Sequence, residues 1–356
     1  MLLSGSRASA LRLLPPGSWD THVHVFDASV GAYSPSRAYT PAEASLEKLK
    51  RFSAGLTEDA RPSNLVLVQP SPYGTDNKVL LHSLKQLRDQ GFTLARAIAV
   101  MNIATTQDNE LWSMHQLGVR GLRLNMVSDG RAVDVDSLRK LVTQAATKIK
   151  DLPNWKLELF CPARVWDVIA DHIGGLLGHS KLVSAESLTE SIDSTKQPGF
   201  QSLVSLAQDS KVIIKISGLY RASNQGDTGY NDLESIISAL GKQVPHRLVW
   251  ASDWPHTGEG SNRGARDLDK IEDFRTVDNE TILKNLREWV GGEDMWVNMM
   301  VHTPSDVYSR DILVPPLSEV KRGFSRLVVA GDFDSLGTLL SAIVFPTPRR
   351  SMQKTS

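Results

Sequence analysis

Eight short runs of mostly apolar, often β-branched residues, separated by stretches with helical periodicity, occupy the chain from residue 19 to about residue 300. They are Trp19–Phe26, Asn64–Gln69, Leu94–Met101, Val119–Asn125, Lys156–Phe160, Lys181–Ala185, Val212–Ser217 and Arg247–Asp253. Between them lie segments such as "NKVLLHSLKQLRDQG", apolar at helical spacing and closed by a glycine where a helix should stop. Strands that alternate with helices predict an α/β protein with a parallel sheet, and eight strands close one into a TIM barrel, (β/α)8. No G-x-G-x-x-G fingerprint follows the first run, which argues against a doubly wound dinucleotide fold. The expected organisation is an N-terminal arm over 1–17, a barrel over 18–308 and a C-terminal extension over 309–356. The barrel would end in a helix, "VHTPSDVY"; the extension holds Pro315–Pro316, a strand-like "RLVVAG" and a basic polar end.

The totals exclude several functions. Forty basic residues balance forty acidic ones, so nothing points to nucleic acid as a partner. No apolar run approaches the roughly 20 residues that span a bilayer, so no membrane association is expected. A single cysteine, Cys161, rules out an intramolecular disulfide and fits a reducing compartment. The expected location is cytoplasmic. The N-terminal stretch carries Arg7, Arg12 and several serines without an acid, a faint likeness to a mitochondrial transit peptide and the alternative to a short arm. The oligomeric state is open.

In the first run, "WDTHVHVFD", Asp20, His22 and His24 share one face of an extended chain, and Thr21, Val23 and Val25 take the other. In an open half-buried strand the histidines would meet water. In a closed barrel they point inward at the C-terminal mouth, where interior polar groups need partners or a purpose. The other strand ends are polar as well: Gln69 and Ser71, Arg123 and Asn125, Ser217 and Arg221, and Asp253 before the strand-breaking Trp254–Pro255. A ring of polar groups at one end of a barrel is a site.

"DTHVH" at the end of strand 1 and "ASDWPH" at the end of strand 8 resemble the amidohydrolase superfamily (amidohydrolase 2 type), in the branch of the 2-pyrone-4,6-dicarboxylate lactonase. "YTP" at 39–41, "VQPSPYGTDN" at 68–77, "GVRGLRLN" at 118–125 and "KISGLYR" at 215–221 extend the resemblance over roughly residues 18–308. The resemblance implies a barrel hydrolase with Asp253 as general base and His22 and His24 polarising the scissile carbonyl. It also implies that Tyr39, Ser71, Arg123 and Arg221 hold the carboxylates and ring of a small carboxylated substrate. The residue types suit that chemistry: ester hydrolysis needs a base near the water and stabilisation of the developing oxyanion, and arginine's planar fork matches a carboxylate.

The chain departs from its relatives at strand 6. There the branch commonly reads Asp-His-x-Gly, and this chain reads Ala185-Glu186-Ser187-Leu188. The strand-5 tyrosine of the lactonase is absent too, and its second strand-4 arginine has only Arg131 nearby. Glu186 would join the catalytic mouth as a proton donor, or as a fourth ligand with His22, His24 and Asp253 to a divalent metal such as Zn²⁺ or Mn²⁺, or it would turn outward into solvent and take no part. The leading reading is a hydrolase of a lactone or related cyclic ester of a carboxylated, pyrone- or aromatic-derived molecule, with no obligatory metal. The alternatives are a metal-dependent decarboxylase of an aromatic or pyrone-type acid, and a non-catalytic barrel that binds a small acid.

Overall fold

The computed structural model describes residues 13–125, 135–160, 172–182, 193–258 and 267–309. Its strands are β1 (Trp19–Val23), β2 (Thr40–Pro41), β3 (Asn64–Val68), β4 (Arg96–Ala99), β5 (Val119–Asn125), β6 (Lys156–Phe160), β7 (Ile214–Ile216), β8 (Leu248–Trp250) and β9 (Ile271–Glu272). Parallel pairing in the order β1-β3-β4-β5-β6 makes a five-stranded sheet, and β7 pairs in parallel with β8. Helices stand between the strands, so the fold is α/β with a parallel sheet.

Seven of the eight runs contain one of these strands. The run expected as strand 6 does not begin as one: Lys181 and Leu182 belong to a helical turn, His179–Leu182, and the remainder lies outside the described residues. A five-residue run carries too little periodicity to separate a buried strand from a buried helical turn. The missed pair β2–β9 has two residues per strand, below what a pattern can show.

The two sheet segments meet through β1 and the residues that follow β8. Thr21 Oγ1 donates to the Trp250 carbonyl at 2.7 Å, Asp253 N to the His22 carbonyl at 3.1 Å and His24 N to the Trp254 carbonyl at 2.9 Å. The backbone of Ser252 donates to Asp20 Oδ1 at 2.9 Å. Burial pushes the Asp20 carboxyl up to about 7, and the Asp253 charge adds to that rise.

The helix read in "NKVLLHSLKQLRDQG" spans Lys78–Asp89, and Gly91 follows with φ +92°. Leu13 and Leu14, inside the stretch expected to be an arm, are buried and donate to the Leu56 carbonyl, both at 3.0 Å. A helix closes the described chain at Thr303–Tyr308, as expected. Its end is fastened under the sheet: Arg96 Nε donates to the Tyr308 carbonyl at 3.0 Å, Lys156 Nζ to the Val307 carbonyl at 2.6 Å, and Tyr308 stacks on Trp19 with centroids 5.8 Å apart. Trp19, Val66, Val68, Ile98 and Tyr308 form one buried cluster there. Cations at the carbonyl end of a helix also complement its dipole. No helix among the described residues is long and apolar enough to cross a membrane.

Candidate active site

β1 and the end of β8 bring His22, His24 and Asp253 together, all buried. Asp253 has φ +61°, a left-handed conformation that aspartate tolerates better than most residues and that turns the chain sharply at the strand end. Its backbone is held on both sides, by the bond to the His22 carbonyl and by a bond from His256 N to its own carbonyl at 2.9 Å.

The two carboxylate oxygens of Asp253 have different surroundings. Oδ2 accepts from the Tyr220 hydroxyl at 2.6 Å and from Arg221 Nε at 2.9 Å. Oδ1 faces Nε2 of His22 at 3.8 Å and Nε2 of His24 at 3.7 Å, too far for direct hydrogen bonds. Those three atoms lie within 4.8 Å of one another and could hold a metal ion. The tautomer of His24 follows from its partner. Nδ1 lies 2.8 Å from the Val68 carbonyl, which can only accept, so Nδ1 carries the proton and Nε2 presents a lone pair to the centre. Burial, and after it the nearby Arg123 charge, pushes His24 down to about 4, so it is neutral near pH 7.

Tyr220 and Arg221 sit on a short helical segment, Leu219–Ala222, that starts at Gly218 with φ +55°. The Arg221 guanidinium lies 4.9 Å from the Tyr220 ring centroid and also donates to Tyr220 Oη at 3.0 Å and Thr257 Oγ1 at 2.9 Å. Burial keeps the Tyr220 phenol well above its ordinary range, against the pull of Arg221, so it acts as a donor. The structure therefore brings Arg221 to the site with its guanidinium turned on Asp253, where the sequence reading has it holding substrate.

On the other side, Arg123 of β5 pairs in register with Glu158 of β6. Gly121 permits that close pairing, because a Cβ there would lie 2.5 Å from the Lys156 carbonyl. Arg123 Nη1 donates to the Gln69 carbonyl at 3.0 Å and its Nε lies 4.0 Å from Glu158 Oε1. Glu158 Oε2 accepts from Lys215 Nζ of β7, and Glu158 Oε1 lies 3.2 Å from His22 Nδ1.

Tyr39 is buried and close enough to Arg221 to interact with its charge. Ser71 is half-buried at the start of a short turn, Ser71–Tyr73; among the described residues no hydrogen bond ties its hydroxyl to the trio. Glu186 and Arg131 lie outside the described residues. Sequence reasoning missed Glu158, Lys215 and Tyr220. The last two stand inside the quoted "KISGLYR", and the signal for them was a lysine in an otherwise apolar three-residue strand and a tyrosine beside the strand-end arginine.

The sequence model of the amidohydrolase family matches residues 158–288, the stretch that runs from Glu158 through Tyr220, Arg221 and Asp253. The chain is also similar to lactone hydrolases. It is 26% identical over 302 residues to the 4-sulfomuconolactone hydrolase of Hydrogenophaga intermedia, covering 84% of this chain and 90% of that one. It is 28% identical over 263 residues to the 2-pyrone-4,6-dicarboxylate hydrolase of Comamonas testosteroni, covering 68% and 78%. The crystal structure of a probable 2-pyrone-4,6-dicarboxylic acid hydrolase from Acinetobacter baumannii, with citric acid bound, shares the fold. It has a TM-score of 0.58 and 23% identity, over 83% of this chain and 100% of that one.

Proposed function

We propose that this chain opens a lactone or related cyclic ester of a carboxylated small molecule, with Asp253 as general base, on an eight-stranded (β/α)8 scaffold. The observation that carries the reading is the asymmetry of Asp253. One carboxylate oxygen is fixed by Tyr220 and Arg221, and the other is left facing two imidazoles across a gap that excludes direct contact. A water in that gap gives its proton to Asp253 Oδ1 as its oxygen attacks the acyl carbon. When the ring C–O bond breaks, the same proton passes to the departing ring oxygen, which leaves a carboxylic acid and a hydroxyl or enol. Tyr220 and Arg221 fix the carboxylate throughout and balance its buried charge.

His22 and His24 stand where the scissile carbonyl would lie. His24 offers only a lone pair there, so it cannot donate a hydrogen bond to the carbonyl oxygen from Nε2. The donor set, two imidazole nitrogens and a carboxylate oxygen, fits a Zn²⁺ or Mn²⁺ ion. His22, His24 and Asp253 would hold it, and it would supply Lewis-acid polarisation of the carbonyl and a more acidic water. Arg123, buried at the strand ends, is the proposed anchor for a substrate carboxylate, with Tyr39 and Ser71 as further proposed substrate contacts. The similarity to chains named as hydrolases of 4-sulfomuconolactone and 2-pyrone-4,6-dicarboxylate supports an anionic lactone as substrate.

The test is a panel of anionic and neutral lactones, assayed for ring opening with and without chelator, alongside metal analysis of the purified protein. Turnover of an anionic lactone supports the reading. Failure to open any of them, in protein supplied with Zn²⁺ or Mn²⁺, refutes it.

A further inference from the structure

We propose that Glu158 is a positioning residue that fixes which nitrogen of His22 faces the reacting centre; the inference rests on reading the His22–His24–Asp253 cluster as the active site. Among the described residues His22 Nδ1 has two charged neighbours, Glu158 Oε1 at 3.2 Å, off the alignment of a hydrogen bond, and Lys215 Nζ at 3.5 Å, within it. The carboxylate would place the ring proton on Nδ1, and the ammonium would place it on Nε2. Three observations favour the carboxylate. It is the nearer group. Lys215 is already committed to Glu158 Oε2, a closer contact than its approach to His22 Nδ1. Glu158 Oε1 is buried with no aligned hydrogen bond among the described residues, and its other nearby donor, Arg123 Nε, lies farther off at 4.0 Å. A buried carboxylate oxygen takes the nearest available N–H, because an unmet acceptor there carries its whole desolvation cost.

With the proton on Nδ1, His22 Nε2 turns a lone pair toward Asp253 Oδ1, as His24 Nε2 does. One backbone carbonyl and one side-chain carboxylate then impose the same polarity on both imidazoles. The two are not equally fixed, since the Val68 carbonyl is part of the main chain and Glu158 is a replaceable side chain. Lys215 neutralises Glu158, so the selector adds no net charge beside the reacting centre.

The experiment is ¹⁵N NMR of histidine-labelled full-length protein, with the His22 resonances assigned from a His22→Asn variant. The expected result is an Nδ1–H tautomer in the wild type. In the charge-balanced double variant Glu158→Gln/Lys215→Met, which keeps side-chain volume and strands neither charge, that preference is lost. On a lactone identified as substrate, kcat of the double variant falls about 10–100-fold, the usual effect of removing such an orienting partner, with KM within about twofold. Glu158→Asp, which keeps the carboxylate, retains the tautomer and more of the rate than Glu158→Gln. An Nε2–H tautomer in the wild type overturns the proposal and makes Lys215 the selector. An unchanged His22 signal in a folded double variant overturns it as well. The NMR outcome needs no substrate, so it stands apart from success or failure of the lactone panel.

Discussion

Asp253→Asn isolates the proposed base with little change of shape. The amide oxygen can take the place of Oδ2 and keep the bonds from Tyr220, at 2.6 Å, and from Arg221 Nε, at 2.9 Å. The amide nitrogen then falls where Oδ1 stood, 3.8 and 3.7 Å from the two imidazole nitrogens. An acceptor facing the centre becomes a donor, and a water held there has no carboxylate to take its proton. General-base losses run at about 10²–10⁴-fold, which at 1.36 kcal/mol per tenfold is about 2.7–5.4 kcal/mol of barrier. The fold should tolerate the change, because the hydrogen bonds on Oδ2 survive and only the charge opposite Arg221 is lost. We expect a cost of about 1–2 kcal/mol, well short of the 3–5 kcal/mol of an abandoned buried charge. The assay is single-wavelength ring opening at saturating lactone, with circular dichroism and urea denaturation to confirm folding. A folded variant with kcat within about threefold of wild type would refute the assignment and move the base elsewhere.

Arg123→Met should raise KM for a carboxylated lactone about 10–150-fold and that for its methyl ester far less, the value of a charge-assisted contact of roughly 1.5–3 kcal/mol; equal losses would make Arg123 structural. Arg96→Met should cost about 3–5 kcal/mol in urea denaturation and leave kcat unchanged. It removes bonds of 3.0 Å to the Tyr308, Thr93 and Ala95 carbonyls, far from the catalytic strand ends. Stability should also fall with acid. His24 and His256 are each held down to about 4, first by burial, from an ordinary 6.5, so the unfolded chain binds more protons between those values. Asp20, raised to about 7, opposes them by one proton, which leaves a net loss of stability as pH falls from 6.5 toward 4. His256→Asn should flatten that slope in urea midpoints measured at pH 4.5, 5.5 and 6.5, and an undiminished slope would reject His256 as a contributor.

The residues most visible in the sequence are those whose chemistry is out of place in a strand. Two histidines on one face of β1, and an aspartate followed at once by Trp254–Pro255, violate the expected pattern and so announce themselves. Glu158 does not, because "KLELF" reads as an ordinary strand alternating charged and apolar residues, and only the register with β5 reveals what the glutamate meets. Lys215 and Tyr220 are hidden for the same reason: their roles depend on partners 57 and 33 residues away. Arg221 shows the converse limit, since its type and place were legible but not the direction of its guanidinium. Of the run expected as strand 6, Lys181 and Leu182 lie in a helical turn, and Val183, Ser184 and Ala185 lie outside the described residues.

The seam between β1 and β8 governs when the protein can begin to work. Its bonds join residues 229 and 232 positions apart, among the longest sequence separations bridged between described residues. At about 5–20 residues per second on a ribosome, roughly 10–50 s separate the synthesis of His22 from that of Asp253. Throughout that interval the two Nε2 atoms lack the Asp253 carboxylate that faces them in the finished fold, and the edge of β1 lacks β8 beside it. Native contacts of such high order form late and slowly. A nascent chain therefore holds half of its chemistry from the start and none of its activity, which arrives only when the end of the sheet is made.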